Sequence, residues 1–429
     1  MRVLLVSTPL TGHLNPLLAI GRMLIDQGHD VIGLSATVLR DRIEAAGAVF
    51  RPFPNGADVD SSDRDALFPE WKQLAPGPAR RRFALERIYV DMIPSQHHGV
   101  QRVLREFPTD LVIADNMMFG VLPMLLGPRS ARPPVIVCSA TAPGWRRDDG
   151  GPTHAGLPPA ASEADRRRYA DLYAADRAAV LEPVYRRLRH CLEGIGVEPP
   201  AMDMFDALIE LPDAYLQMTV PAFEFPHGNL PASVHFIGTP PIARSDTPRP
   251  PWAHELDGSR KVVLVTQGTL ANHSFDPLVT PTLAALAGEQ DVLVAVTAGG
   301  RPVDSIPGPI PANTRLASYL PFDWLLPKVD LVVTNGGYGS VNQALSLGVP
   351  LVTAGITEDK ADVNARVAWS GVGVDLATNA PTPEALRRAA RTVLDDPAYR
   401  SRARAMAAEF ARIDTRAEVL RIVSEVRAA

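Results

Sequence analysis

Short apolar segments alternate with helical patterns along the chain. The first apolar segment, Val3–Val6, is continuous, as expected for a parallel strand buried on both faces. A turn-rich loop containing His13 follows, and Asn15-Pro16 then predicts a helix start, because asparagine caps well and proline suits the first helical turn. Gly28 is predicted to end this helix before a second strand at Val31–Leu34. A strand, a crossover helix and a second strand predict a right-handed parallel unit.

The same pattern recurs six more times. The further predicted strands are residues 110–115, 134–138, 261–266, 291–296, 330–334 and 350–353. Such alternation predicts a doubly wound α/β architecture. Residues 238–251 are dense in proline and polar residues, which is typical of a stiff linker. We therefore predict an N-terminal domain over 1–237, a linker over 238–258, a second α/β domain over 259–405 and a terminal helix over 406–429.

Composition and charge exclude several classes of protein. Of the 429 residues, 46% are hydrophobic and 21% charged, which excludes disorder of the whole chain. With 43 Lys and Arg against 48 Asp and Glu, the net charge of −5 lacks the basic footprint of a nucleic-acid binder. Two cysteines, Cys138 and Cys191, are too few for a disulfide framework. No apolar run reaches about 18 residues, and the first strand is too short for a signal peptide, so we expect a cytoplasmic protein without membrane insertion.

A glycine-rich segment, Thr334–Ser340, provides the strongest chemical signal. It follows a predicted strand, precedes a predicted helix and contains Gly336, Gly337 and Gly339. Backbone N–H groups at such a helix start favour an anion such as phosphate, although a tight strand–helix turn also requires glycine. Asn342 stands where the dinucleotide fingerprint needs its last glycine, so that motif is absent.

Other polar residues follow predicted strands, where ligands of α/β proteins bind. His13 follows the first strand and Asp115 ends another; a carboxylate beside an imidazole can orient it as a general base, although both residues also suit loop packing and helix capping. Thr269 follows a strand of the second domain and is a weaker candidate for phosphate binding. Glu358-Asp359-Lys360 is either a sugar-binding group or a solvated loop.

Large apolar residues in two segments of the N-terminal domain have two possible interpretations. Phe83, Tyr89, Met92 and Trp145 either pack against the sheet or form the wall of a pocket for a bulky apolar molecule. Asp58-Val59-Asp60 lacks a preceding strand, and His97-His98 has no matched partner, so no metal site is predicted.

Together these segments resemble a family 1 glycosyltransferase of the GT-B fold, in particular bacterial enzymes that glycosylate secondary metabolites. Thr11–Pro16 followed by Gly28–Val31 resembles the N-terminal signature of that family. The resemblance implies two Rossmann-like domains facing across a cleft, with the terminal helix packing back on the N-terminal domain. It also implies that His13 is the catalytic base and that Asp115 holds it.

The C-terminal signature is similar as well. Ser318–Pro321 resembles the segment in which an aromatic ring, here Tyr319, stacks on the nucleotide base while the backbone of Leu320 contacts its edge. The resemblance implies that Gln343 contacts the ribose and that Asp359 and Lys360 bind the donor sugar. The residues implied for the diphosphate are Gly12, Thr269, Asn335, Gly337, Gly339 and Ser340.

Three positions depart from the family pattern. The diphosphate loop begins with Asn335 where histidine is usual, Gln343 replaces a glutamate at the ribose position, and Lys360 replaces the glutamine that contacts the sugar. These replacements fit a deoxysugar or unusual nucleotide, or altered donor contacts with unchanged chemistry. UDP and dTDP therefore both stay open as the donor nucleotide.

The resemblance implies an inverting, metal-independent glycosyltransferase. It would move a hexose or deoxyhexose from a nucleotide diphosphate sugar to a hydroxyl of a lipophilic small-molecule aglycone in secondary metabolism, such as antibiotic biosynthesis. No cofactor is expected besides the nucleotide sugar as co-substrate, and the protein is expected to be a monomer or homodimer. A nucleotide-sugar epimerase of the GT-B fold and a non-catalytic auxiliary homologue remain the alternatives.

Overall fold

A computed structural model describes residues 1–240, 247–268 and 272–428, which form two parallel β-sheets. The strands of the first sheet are β1 Arg2–Val6, β2 Asp30–Ser35, β3 Val49–Pro52, β4 Leu111–Asp115, β5 Val135–Ser139, β6 Ala214–Gln217 and β7 Val234–Phe236. Those of the second are β8 Lys261–Thr266, β9 Val292–Thr297, β10 Thr314–Ala317, β11 Leu331–Thr334, β12 Leu351–Thr353 and β13 Gly373–Asp375. All eight predicted strands are confirmed.

The two sheets share one topology. Their strand orders are β3-β2-β1-β4-β5-β6-β7 and β10-β9-β8-β11-β12-β13. The order reverses between β1 and β4 in the first sheet and between β8 and β11 in the second. Ligands of such sheets bind beyond the carboxyl ends of the strands at this reversal. The predicted fold of two doubly wound Rossmann-like α/β domains is confirmed.

Helices cover both faces of each sheet. In the first domain they are α1 Thr11–Ile25, α2 Arg40–Ala45, α3 Arg64–Leu67, α4 Pro78–Ala84, α5 Ile93–Glu106, α6 Leu122–Leu126, α7 Glu163–Asp176, α8 Glu182–Glu193 and α9 Met204–Glu210. The later helices are α10 Val279–Leu286, α11 Phe322–Leu325, α12 Tyr338–Ser346, α13 Lys360–Trp369, α14 Pro383–Asp395, α15 Pro397–Ala411 and α16 Thr415–Ala428. Among the described residues, no helix has both the length and the apolar character needed to cross a bilayer.

Continuous apolar strands supply two cores per domain, because alternate side chains point to opposite faces of a sheet. In β1, Leu4 and Val6 belong to one core and Val3 and Leu5 to the other. The second domain repeats this arrangement along β8. Helix α16 packs on the first domain, where its valines and isoleucine join the core of Val3 and Leu5.

The predicted start of the first helix is wrong. Helix α1 begins at Thr11, so His13 lies in its first turn and not in the preceding loop. Pro16 lies inside the helix, five residues after its start. Its missing N–H deprives only the carbonyl of Gly12 of an intrahelical donor, which is tolerable so close to the helix terminus.

A buried polar contact joins the domains. The Arg366 guanidinium pairs with the Glu224 carboxylate at 2.5 Å, and both side chains are at most 3% exposed. The Tyr338 hydroxyl donates to the other oxygen of Glu224 at 2.9 Å and accepts from the Gln217 amide at 2.6 Å. Because Tyr338 begins α12, this contact fixes the glycine-rich helix start relative to the first domain.

Candidate active site

His13 and Asp115 meet at the strand reversal of the first sheet. Strands β1 and β4 are parallel neighbours, which places α1 and the end of β4 side by side. The Nδ1 atom of His13 lies 3.0 Å from Oδ1 of Asp115, a distance typical of an ion pair, although the ring N–H does not point straight at the oxygen. The backbone and hydroxyl of Thr8 and the backbone N–H of Met117 also donate to this buried carboxylate. These donors fix its position.

The surroundings favour the protonated form of His13. Burial alone would lower the pKa of the imidazole, but the Asp115 carboxylate, aided by Asp359 and Glu358 of the second domain, outweighs burial and raises it. The carboxylate at Nδ1 leaves Nε2 as the proton-accepting atom of the neutral ring. The side chain is 12% exposed, so solvent still reaches it. The pair therefore has the arrangement of an oriented general base.

The glycine-rich segment lies at the strand reversal of the second sheet. Gly336 has a φ of +92°, and a Cβ there would lie 1.8 Å from Oδ1 of Asn364, so only glycine fits. In contrast, a Cβ at Gly337 or Gly339 would meet no atom of residues 1–240, 247–268 or 272–428 within 4 Å. The backbone at the start of α12, which also contains Ser340, therefore borders open space. N–H groups at such a helix terminus favour an anion.

The side chain of Asn335 is hydrogen-bonded within the second domain. Its side-chain amide donates to the Gln267 carbonyl at 3.0 Å and so ties the end of β11 to the end of β8. Thr269, predicted to contact the diphosphate, lies outside the described residues. Gly12 is exposed in the first turn of α1, next to His13.

The predicted nucleotide contacts differ in exposure. Tyr319 follows β10 and is 52% exposed, so its ring has a free face, whereas Leu320 is fully buried and leaves only its backbone available. Gln343 lies half-buried on α12, one turn after the glycines.

The predicted sugar-binding pair lies at the start of α13. Asp359 precedes the helix, and burial raises the pKa of its carboxyl against the lowering effect of Lys360. Lys360 is only 7% exposed, and its ammonium pairs with Glu358. Glu358 also pairs with Arg64 of the first domain at 3.1 Å. Burial alone would raise the pKa of Glu358, but Lys360 and Arg64 outweigh it and lower this pKa to about 2. These charges form a bridge between the domains beside His13.

An aromatic row lies on the first-domain side of the same region. The rings of Tyr89 and Phe119 are 6.2 Å apart, those of Phe119 and Phe205 5.8 Å, and those of Phe205 and His154 6.3 Å. Burial raises the pKa of Tyr89 to about 12, and Asp115 and Asp359 both act on its hydroxyl. One end of the row, Tyr89, therefore lies within electrostatic reach of Asp115 and Asp359, and the other end is His154.

The other predicted acceptor residues lie in different surroundings. Phe83 packs edge-on against Phe68 at 5.6 Å and contacts Trp71, whose ring also faces Arg64. Met92 is half-buried just before α5. Trp145 is 1% exposed, donates to Asn229 and packs in the core of the first domain.

Sequence reasoning missed several residues near the site. Phe119 follows Asp115 by four residues, so its place after a strand end was a usable signal. Phe205 and His154 come from long segments between β5 and β6, and no local pattern distinguishes them. Arg64 and Asp362 gain their roles from contacts with the other domain, which spacing along the chain does not reveal.

Two facing Rossmann-like domains with an imidazole–carboxylate pair in one and a glycine-rich helix start in the other define a GT-B glycosyltransferase. Comparisons with known proteins agree. Residues 281–426 match the family described as Erythromycin biosynthesis protein CIII-like, C-terminal domain. The chain is 36% identical over 415 residues to 4'-demethylrebeccamycin synthase of Lentzea aerocolonigenes, covering 96% of each chain. It is 35% identical to UDP-glycosyltransferase 2 of Phaeomoniella chlamydospora, covering 100% of this chain and 96% of that one.

Solved structures share the fold. The glycosyltransferase of kitacinnamycin superposes with a TM-score of 0.72 at 23% identity, covering 99% of both chains. The calicheamicin glycosyltransferase CalG4 gives the same TM-score at 22% identity, covering 99% of this chain and 98% of that one. The chain belongs to the family 1 glycosyltransferases of the GT-B fold, and it is a glycosyltransferase of the natural-product type.

Proposed function

We propose that the protein transfers a hexosyl group from a UDP-sugar, with inversion at the anomeric carbon, to a hydroxyl of a lipophilic small molecule. The observation that carries this proposal is the His13–Asp115 pair, which lies within electrostatic reach of Asp359 and Glu358 from the opposite domain. Several relatives are named UDP-glycosyltransferases or UDP-glucosyltransferases, which supports UDP and glucose as the first donor to test.

In the proposed reaction Nε2 of His13 removes the proton of the acceptor hydroxyl. The resulting oxygen attacks the anomeric carbon from the face opposite the leaving diphosphate, and the carbon–oxygen bond to the diphosphate breaks. Asp115 orients the imidazole and stabilises its cation. The proton ends on the ring and then passes to solvent.

Charge that develops on the leaving diphosphate needs preorganised donors. The N–H groups at the start of α12 are suited to this, because open space borders Gly337 and Gly339. We infer that these donors replace a divalent metal ion. We infer that Asp359 accepts hydrogen bonds from sugar hydroxyls. The half-buried rings of Tyr89 and Phe205, which both pack on the fully buried Phe119, supply the apolar contacts for the acceptor.

The test is transfer from UDP-glucose to aromatic alcohols such as 2-naphthol, with and without EDTA, alongside a dTDP-glucose reaction. We expect a β-glucoside by NMR coupling, because the donor is α-linked, and a rate unchanged by EDTA. His13→Ala should reduce the rate by about 10²–10⁴-fold while UDP affinity stays within about twofold, since the ring does not contact the nucleotide in this mechanism. Full activity of His13→Ala would contradict the proposed base.

A further inference from the structure

A loop of the first domain is held by a carboxylate of the second. The backbone N–H of His154 donates to Oδ2 of Asp362 at 2.7 Å, and the N–H of Gly156 donates to Oδ1 at 2.9 Å. Asp362 lies in the first turn of α13, three residues after Asp359. Both carboxylate oxygens are thus used to hold a segment more than 200 residues away in the sequence.

The loop has an unusual backbone. His154 has a φ of +66°, in the left-handed region that residues with a Cβ seldom adopt, and Gly156 has a φ of +65°. A Cβ at Gly156 would lie 3.1 Å from the Cβ of Ala361, so the loop lies directly on the start of α13. Backbone strain of this kind persists only where surrounding contacts impose it. Here the contacts are the two hydrogen bonds to Asp362.

The two hydrogen bonds to Asp362 determine where the His154 ring lies. The ring is 6.3 Å from that of Phe205, at one end of the aromatic row that leads through Phe119 to Tyr89. The Asp359 carboxylate acts electrostatically on both His154 and His13. Burial lowers the pKa of His154, so the neutral ring offers one donor and one acceptor nitrogen. His154 thus places a hydrogen-bonding group in an otherwise aromatic wall, near the donor-sugar residue.

We propose that His154 is a specificity-determining residue that hydrogen-bonds a second polar group of the acceptor, and that Asp362 is the positioning residue that holds His154 there. This inference rests on the proposed function. The acceptor class that fits is an aromatic molecule with two polar substituents, one attacking the sugar beside His13 and one bound by His154. Asp362 belongs to the second domain. His154 is therefore held at the end of the aromatic row only when the two domains are in contact.

Asp362→Asn tests the positioning role. The amide retains the size but turns one acceptor oxygen into a donor that faces a backbone N–H. With UDP-glucose as donor and 2,3-dihydroxynaphthalene as acceptor, we expect the acceptor KM to rise about tenfold, as for loss of one charge-assisted hydrogen bond. The KM for UDP-glucose should stay within about twofold. The matched control is Asp330→Asn, since Asp330 accepts the backbone N–H of Val262 at the amino ends of the central strands β8 and β11, away from the proposed site.

Variants at His154 test the contact itself. The ratio of kcat/KM for 2,3-dihydroxynaphthalene to that for 2-naphthol measures recognition of the second hydroxyl. His154→Leu should lower this ratio about tenfold, and His154→Gln, which still hydrogen-bonds, should retain most of it. Circular dichroism melting confirms that each variant is folded. An unchanged ratio in His154→Leu would overturn the specificity role, and an unchanged acceptor KM in Asp362→Asn would overturn the positioning role. If the wild-type protein transferred glucose to neither acceptor, the proposed function itself would be refuted.

Discussion

Glu224 and Arg366 form an ion pair across the domain interface at 2.5 Å, and neither side chain is more than 3% exposed. Glu224→Ala would leave the guanidinium buried without its counter-charge. Loss of one partner of a buried pair costs about 3–5 kcal/mol. We expect the free energy of unfolding in urea, followed by circular dichroism, to fall by that amount.

Two further variants make this prediction specific. Combining Glu224→Met with Arg366→Met removes both charges and should recover much of the loss, because burying a hydrophobic pair avoids the desolvation penalty of the ions. Asp395→Ala removes an exposed partner of Arg391 within α14 and should change stability by less than about 1 kcal/mol. Equal losses in Glu224→Ala and Asp395→Ala would contradict the assignment of Glu224 as a buried interface residue.

Much of the fold was predictable because its parallel strands are continuous apolar runs. Five described strands escaped prediction because each has only three or four residues and mixes polar with apolar positions: β3, β6, β7, β10 and β13. The proximity of His13 and Asp115 could be predicted, since His13 follows β1 and Asp115 ends β4 of the same sheet.

The contacts between domains could not be predicted from local patterns. The hydrogen bonds from the His154 loop to Asp362 and the pairing of Arg64 with Glu358 join residues more than 200 positions apart. Each of these charged side chains could pair with many residues of the chain. The partner it has is determined by how the two folded domains pack together. The aromatic row is similar, because Phe205 approaches Phe119 through a long connection without periodicity.

The raised pKa of His13 determines how activity should depend on pH. The base must be neutral, so kcat/KM should fall as the pH drops below the pKa of His13, which lies above its usual 6.5. Asp115→Asn removes the carboxylate that contributes most to raising the pKa of His13. Burial, which lowers this pKa, remains. The acidic limb of the profile should therefore move to lower pH, while the rate on the plateau falls because the ring is less well oriented.

The profile of kcat/KM against pH, measured with UDP-glucose at saturating acceptor, provides the check. His97→Gln is a suitable comparison, because burial lowers the pKa of this second histidine and the proposed mechanism does not use it. Its acidic limb should match that of the wild type. A limb that stays in place in Asp115→Asn would mean that another group titrates.

Two adjacent glycines should respond differently to alanine. At Gly336 a methyl group would clash with Asn364 and force a left-handed backbone, so Gly336→Ala should lower stability by more than about 1–2 kcal/mol. Gly337 has a φ of −62°, and a Cβ there would meet no atom of the described residues within 4 Å, so Gly337→Ala should fold with nearly unchanged stability. Its methyl would occupy the proposed diphosphate space, and the KM for UDP-glucose should rise. Thermal melting and donor titration separate the two effects, and an unchanged KM in Gly337→Ala would contradict this location of the diphosphate.

Tyr319 offers a direct test of the nucleotide site, because its ring is 52% exposed at the carboxyl end of β10. Stacking of a base on an aromatic side chain contributes about 1–3 kcal/mol. Tyr319→Ala should therefore weaken UDP binding by about tenfold or more, as measured by isothermal titration calorimetry, with little change in melting temperature, because few contacts of the ring are buried. Tyr319→Phe retains the ring and should bind UDP as the wild type does. Equal UDP affinity in Tyr319→Ala and the wild type would mean that the base binds elsewhere on the second domain.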